Sequence, residues 1–437
     1  MFNNKINDFH DVNFIKNLLN FSLGLEVERH RVNDVGEIST FPYPSGIGNQ
    51  IDNEWITTDF LETMTEVVTP VTNDTKQALI ALDKLSNVLI NSLSNGELLW
   101  PLSMPPALPL TFEKIDIAHT TKEKRDYFNN WVKKYNFQRA TPTGAHVNLG
   151  IGAQFISDNK LNHQNINDLY MKIARGFMKN RFVLTYFFGA SPIAEENYFL
   201  KDEEHIKYVR SIRQSELGFG TRYHGDYSSV ENYVTNILNG MESGRLLNDH
   251  DFHAPVRLRG ETGINKLTKD GINHIELRML DLDPWSKDGI GPDAINIIRL
   301  MAAYFVMYEE DTFDLNYYNQ LNEEVSLSAP LDKLHISKIW NFIYLLQDFV
   351  HKMKVGQIYD DVLNRFRSQL KDGQKTVSAR LMNEIKNNSL SNFALEIAKD
   401  NLNFTKDIET IKTIKNIFET SDSNISSGYL IKHLFNV

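Results

Sequence analysis

Apolar and polar residues alternate most cleanly in three short stretches of the chain. Around "GLEVERHRV" (24–32), Leu23, Leu25 and Val27 fall on one face of an extended backbone and Glu26 and Glu28 on the other. In "HIELRML" (274–280), Ile275, Leu277 and Met279 share a face, and Glu276 and Arg278 share its reverse. In "GAHVNLG" (144–150), His146 and Asn148 project together. This period of two predicts strands at 23–32, within 142–151 and within 272–285, the last ended by Pro284. A helical period runs through 10–22, carried by Phe14, Leu18, Leu19 and Phe21, and through 74–94, 120–136 and 165–190. "SGIGNQ" (45–50) reads as a turn, and the prolines of "LWPLSMPPALPL" (99–110) forbid a regular helix. From about 290 onward the pattern is mostly helical. These elements predict an α+β fold, a mainly antiparallel sheet with helices packed on it. No long Pro/Gly/Ser linker interrupts the chain, so a single domain over 1–437 is expected, its helical part 290–437 packed on the same core.

Composition narrows the chemistry. The 437 residues are 41% hydrophobic and 23% charged, an ordinary globular balance. A net charge of −10 without a basic stripe argues against nucleic acid. No run of 18 apolar residues suggests a membrane span, and the N-terminus lacks the layout of a secretory signal, so a cytoplasmic location is expected. The absence of cysteine excludes disulfides, a thiol nucleophile and thiolate metal ligation.

The polar faces of the strands then stand out. Glu26 with Glu28, Asp59 with Glu62 and Glu66, His146 with Asn148, and Glu276 with Arg278 all place metal-capable or charge-stabilising groups among apolar neighbours. Carboxylates at i and i+2 lie roughly 6–7 Å apart on one face and repel unless something screens them. Mg²⁺ prefers such oxygen ligands and keeps part of its shell for waters or substrate phosphates. An arginine on the same face suits a transferring phosphoryl group. Spacing alone also allows an ordinary solvated strand face, and Asp59 and Glu62 also read as a helix cap and first-turn acid.

Taken together the motifs are more specific. "GLEVERHRV", "WITTDFLETMTEVVTPVT", "LLWPLSMPP", "PTGAHVNLG", "SIRQSELGFG", "DFHAPVRLRG" and "GINHIELRMLDLDPWSKDGI" occur in this order between about residues 20 and 290. The chain resembles the glutamate–cysteine ligase family, most of all the ligase module of bifunctional glutathione synthetases of Gram-positive bacteria, without their ATP-grasp module. The resemblance implies a glutamine-synthetase-like antiparallel sheet curved into a funnel. It implies ATP-dependent phosphorylation of the γ-carboxylate of L-glutamate, followed by attack of an amine, L-cysteine in the family. It implies two or three Mg²⁺ ions, with Mn²⁺ as a substitute, held by Glu26, Glu28, Asp59, Glu66, His146 and Glu276. Arg278, Arg257 and Arg213 correspond to arginines at the phosphates and substrates, and Asn148 to a residue that steadies the site. The expected partners are small molecules, and the expected state is a monomer or weak homodimer.

Four positions depart from the family pattern: Ala140 replaces a common glutamine, Val147, Phe219 and His253 replace tyrosines. If all four border the acceptor, hydroxyl and amide groups are lost there. Cysteine and a different amino acid or amine are then both to be weighed as acceptor. A ligase with another carboxylate donor and a non-catalytic regulatory homologue are further alternatives. The last would not need buried carboxylates.

Overall fold

β1 (Ser22–Val32) is buried along nearly its whole length, on both faces. Leu23, Leu25 and Val27 are fully buried, as the alternation predicts, but Glu28 on the reverse face is only 4% exposed. A strand buried on both sides usually reads as continuous apolar sequence. Here one buried side is acidic. The computed structural model describes residues 12–111, 113, 115–201, 206–218, 223–308, 313–403, 407–420 and 425–435.

Around β1 stand β2 (Ile56–Thr58), β3 (Met64–Val68), β4 (Leu98–Leu99), β5 (Ala145–Gly150), β6 (Val256–Arg259) and β7 (His274–Leu280). They form one antiparallel sheet in the order β2-β3-β1-β5-β7-β6, with β4 paired to the far end of β1. The three strands with the clearest alternation are thus the three central neighbours. β6, which the alternation did not single out, is an edge strand of four residues.

One face is apolar. Leu25, Val27, Val67, Val147, Leu149, Val256, Leu258, Ile275 and Leu277 join a continuous core with the helices Thr75–Ile90, His163–Phe188 and Pro292–Met307. Each such side chain contributes about 1.5–3 kcal/mol when fully buried. Helix Thr75–Ile90 packs on β1 and β3, and helix His163–Phe188 on β6 and β7, with Pro292–Met307 against both helices. Gly176 allows the last approach, because a Cβ there would lie 2.3 Å from the Phe305 ring.

The other expected helices appear at Val12–Leu18 and Lys122–Lys134, and the region beyond 290 is helical in its described parts. Residues 10–11 of the first expected helix lie outside the described residues. β7 stops at Leu280, four residues before Pro284, and the short helix Ala153–Asp158 and the longer Val230–Glu242 were not foreseen. No helix among the described residues is long and apolar enough to cross a membrane.

Candidate functional site

The polar face is assembled by register. Across the sheet, Glu66 of β3 pairs with Glu28 of β1, and Glu26 of β1 pairs with His146 of β5. Asn148 of β5 pairs with Glu276 of β7, which pairs with Arg257 of β6. Directly paired residues point to the same side of a sheet. The β5–β7 register shifts between Ala145 and Val147, so that Arg278 and Met279 of β7 both lie opposite His146. Bulges re-aim side chains, and this one lies where the imidazole meets three carboxylates.

The His146 ring is the hub. Its Nδ1 is 3.3 Å from Glu26 Oε2 and 3.8 Å from Glu276 Oε1, and its Nε2 is 3.7 Å from Glu28 Oε1. Glu26, Glu66 and His146 each offer a ligand atom within 4.8 Å of the others. Asn148 Nδ2 donates to Glu26 Oε1 at 2.6 Å, and the Gly144 N–H donates to Glu28 Oε2 at 3.1 Å. Arg278 Nη1 donates to Glu276 Oε1, and Arg259 Nε to Glu276 Oε2 at 2.6 Å.

Electrostatics separate these carboxylates. Burial and then the neighbouring Glu26, Asp59 and Glu28 push the Glu66 carboxyl well above its ordinary range. Burial also pushes up Glu28, against the pull of His146. At Glu276 burial is outweighed by Arg278, Arg259 and Arg257, which hold the carboxyl well below its usual value. At Glu26 burial is outweighed by the His146 hydrogen bond, and its pKa is lowered. Arginine charge is thus concentrated at Glu276, while at Glu66 and Glu28 burial and like-charged neighbours oppose ionisation.

The donor set fits a hard divalent cation. It offers carboxylate oxygens, one imidazole and no thiolate. His146 Nε2 is buried without a hydrogen-bond partner, a lone pair or N–H that a buried polar group rarely leaves unused. Glu26, Glu66 and His146 would hold such an ion, with Glu28 and Glu276 adjacent. Asp59 lies near enough to act electrostatically on Glu28 and Glu66.

Arg278 also borders a cleft of about 110 Å³ that it shares with Arg181, Arg213, Tyr227, His253 and Glu323. His253 is held well below its ordinary pKa by burial and by Arg278 and Arg257, so it is a neutral imidazole there. Arg257, buried on β6, donates to the Asp249 carbonyl at 3.3 Å and is lowered to about 10 by burial and by Arg259. Arg213 is tied to the backbone, its Nη1 donating to the carbonyls of Arg278 (3.2 Å) and Leu280 (3.0 Å).

Several sequence expectations change here. Val147 does not border the cleft or the acidic face: strand alternation turns it to the opposite side, into the apolar core. Ala140 is buried in a second apolar cluster with Phe60, Phe128 and Trp131. Glu62 is not part of the acidic face. Its carboxylate accepts from the backbone N–H groups of Tyr43 (3.1 Å) and His119 (2.8 Å) and from Gln50 Nε2 (3.1 Å), bracing three loop segments. It caps no helix, and neither does Asp59, since both sit in the short connection from β2 to β3. Phe219 lies outside the described residues. Sequence reasoning missed Arg259 and Arg181. The alternation in "VRLR" (256–259) could have found the first, since it puts Arg257 and Arg259 on one face.

The sequence profile described as "Glutamate-cysteine ligase" matches residues 6–245 and 241–327. The glutathione biosynthesis bifunctional protein GshAB of Streptococcus agalactiae is 31% identical over 394 residues, covering 86% of this chain and 52% of that protein. A glutamate–cysteine ligase of Clostridium acetobutylicum is 29% identical over 372 residues, 71% of this chain and 77% of its own length. Among solved structures, a bifunctional glutathione synthetase from Pasteurella multocida superposes with a TM-score of 0.83 at 25% identity, covering 93% of this chain and 55% of that one. The chain spans about half the length of the bifunctional relatives it matches.

Proposed function

The chain belongs to the glutamate–cysteine ligase family, and from that premise we propose that it joins L-glutamate to L-cysteine at the expense of ATP. The γ-carboxylate oxygen of glutamate attacks the γ-phosphorus of ATP and ADP leaves. The cysteine nitrogen attacks the acyl carbon of the γ-glutamyl phosphate, phosphate leaves, and the amine gives up a proton. The products are γ-glutamylcysteine, ADP and phosphate. A carboxylate is a poor acyl donor, and phosphorylation supplies its leaving group.

The observation that carries this reading is the sheet register, which gathers Glu28, His146 and Glu276, buried, and Glu26 and Glu66, half-buried, on one face beside Arg278. Mg²⁺ bound there, two or three ions with Mn²⁺ as a substitute, would offset charge between glutamate and the nucleotide phosphates. Arg278 is placed to contact phosphate oxygens, with Glu276 orienting its guanidinium. Arg257 and Arg213 are buried near it and add positive charge, and Arg213 also lines the cleft. Asn148 holds Glu26 in its rotamer. Asp59 adds negative charge at the same end. The cleft at Arg278 and His253 receives the acceptor.

The finer architecture belongs to the same proposal. The sheet is the curved, funnel-like sheet of glutamine-synthetase-like enzymes, and 1–437 acts as one catalytic unit with 290–437 as its helical support. The protein works in the cytoplasm on small molecules, as a monomer or weak homodimer. Another acceptor amine is not favoured. Val147 faces the core and Ala140 an apolar cluster, so two of the four departures do not border the cleft. A non-catalytic homologue is not favoured either, because the acidic face is intact.

Phosphate release from ATP with Mg²⁺, L-glutamate and a panel of amines tests the reading. Turnover is expected with cysteine above all others. Turnover with another amine alone, or with none, overturns it.

A further inference from the structure

The residue that follows β7 is a carboxylate shut away from water. The Asp281 side chain is fully buried. Its Oδ2 accepts from the Ala190 N–H (2.8 Å), from Ser191 Oγ (2.8 Å) and from Ser211 Oγ (2.6 Å). Its Oδ1 accepts from Gln214 Nε2 (3.2 Å) and lies 3.7 Å from Arg213 Nη1. A buried charge is tolerated only when saturated with donors and a counter-ion, and Asp281 has both. It does not line the cleft at Arg278 and is not among the acidic-face carboxylates, so the chemistry proposed above makes no use of it.

Its partners show what it organises. Ser191 Oγ accepts the Arg213 N–H (3.1 Å) and Ser211 Oγ the Gln214 N–H (3.0 Å). The carboxylate therefore fixes the backbone at Arg213 as well as balancing its side chain. The Arg213 guanidinium lies so close to Gly144 that a Cβ there would be 2.0 Å from Nη2. Gly144 in turn clasps Glu28, donating its N–H to Glu28 Oε2 and accepting the Glu28 N–H, both at 3.1 Å. A continuous path thus runs from Asp281 through Arg213 and Gly144 to a carboxylate of the acidic face.

We propose that Asp281 is a positioning residue: its buried carboxylate holds Arg213 against Gly144 and so sets the Glu28 carboxylate for cation binding. The inference rests on the cation-site reading above. The test is Mn²⁺ binding by the full chain, measured calorimetrically well below the unfolding midpoint of each protein, beside steady-state kinetics. Asp281→Asn keeps the size but loses the charge. It is expected to weaken Mn²⁺ binding by about 10-fold, as changes behind metal ligands do. kcat should fall with it at limiting Mn²⁺ and recover as Mn²⁺ is raised. Asp281→Asn combined with Arg213→Gln should be no worse than the single variants, since both act through one path. If Asp281→Asn does not fold, Ser211→Ala decides, with a smaller loss of Mn²⁺ affinity in the same direction. A folded variant with a lowered midpoint but wild-type Mn²⁺ affinity overturns the inference and makes Asp281 a stability residue only. A wild-type protein that takes up no Mn²⁺ instead overturns the cation site itself.

Discussion

Three residues apart on β1, Glu28 and Arg31 are both buried, and their surroundings treat charge in opposite ways. Arg31 meets one carboxylate. Its Nη1 donates to Glu97 Oε1 (2.7 Å) and to the Pro42 carbonyl (2.9 Å), and its Nη2 to the Glu62 carbonyl (2.9 Å). Glu97 takes further bonds from Ser39 Oγ and the Ser94 N–H. Both side chains are fully buried and the charges balance one to one. Glu28 instead stands beside Glu66 and His146, where burial and Asp59 raise its pKa against the pull of His146, Arg278 and Arg213. A buried pair that balances itself serves the fold. A cluster of carboxylates in which burial and like charge oppose ionisation is costly until a cation arrives, and this is the contrast on which the proposed cation site rests.

Four substitutions sharpen this contrast. Arg278→Ala should lower turnover by roughly 10³-fold, the scale on which a phosphate-contacting arginine acts. The protein should stay folded, because Arg259 still pairs with Glu276. Steady-state kinetics beside a thermal melt checks both halves. Glu97→Ala should do the reverse. Stranding Arg31 should cost about 3–5 kcal/mol in denaturant unfolding, and the folded fraction should keep normal kcat. Val147→Ala removes core volume at a cost of about 2 kcal/mol and should leave KM for the acceptor unchanged. An altered KM would return Val147 to the acceptor site. The smallest effect should come from Glu66→Gln. It removes a carboxylate whose charged form is opposed by burial and by its neighbours, so the metal-free protein should gain about 1 kcal/mol. The rise in melting temperature on adding Mg²⁺ should shrink.

Much of this was readable from sequence where local pattern and packing agree. The alternation at 23–32, 144–150 and 274–280 named the central strands and the residues on their polar faces. What pattern could not supply was register and depth. A solvated Glu-x-Glu face and a buried acidic one read alike until pairing sets Glu28 beside Glu66 and Glu26 beside His146. β6 is only four residues long, so the alternation of "VRLR", which puts Arg257 and Arg259 on one face, is a weak signal by itself. Val147 departs from the family motif at a position whose strand face, set by alternation with His146 and Asn148, turns it into the apolar core. Glu62 reads like a metal-capable acid beside Asp59 and Glu66, whereas its carboxylate binds the loop residues Gln50, Tyr43 and His119, 12, 19 and 57 residues away. Asp281 had no local signal, since its partners lie 67 to 91 residues away.

The face formed by Glu26, Glu66 and His146, with Glu28 and Glu276 beside them, is proposed as a divalent-cation and nucleotide site. Crystals grown with Mn²⁺ and ADP, measured at the manganese absorption edge, test it directly. Anomalous peaks are expected in contact with these side chains, with ADP phosphates against the ions and near Arg278. Manganese bound elsewhere while these carboxylates keep only water and one another would contradict it.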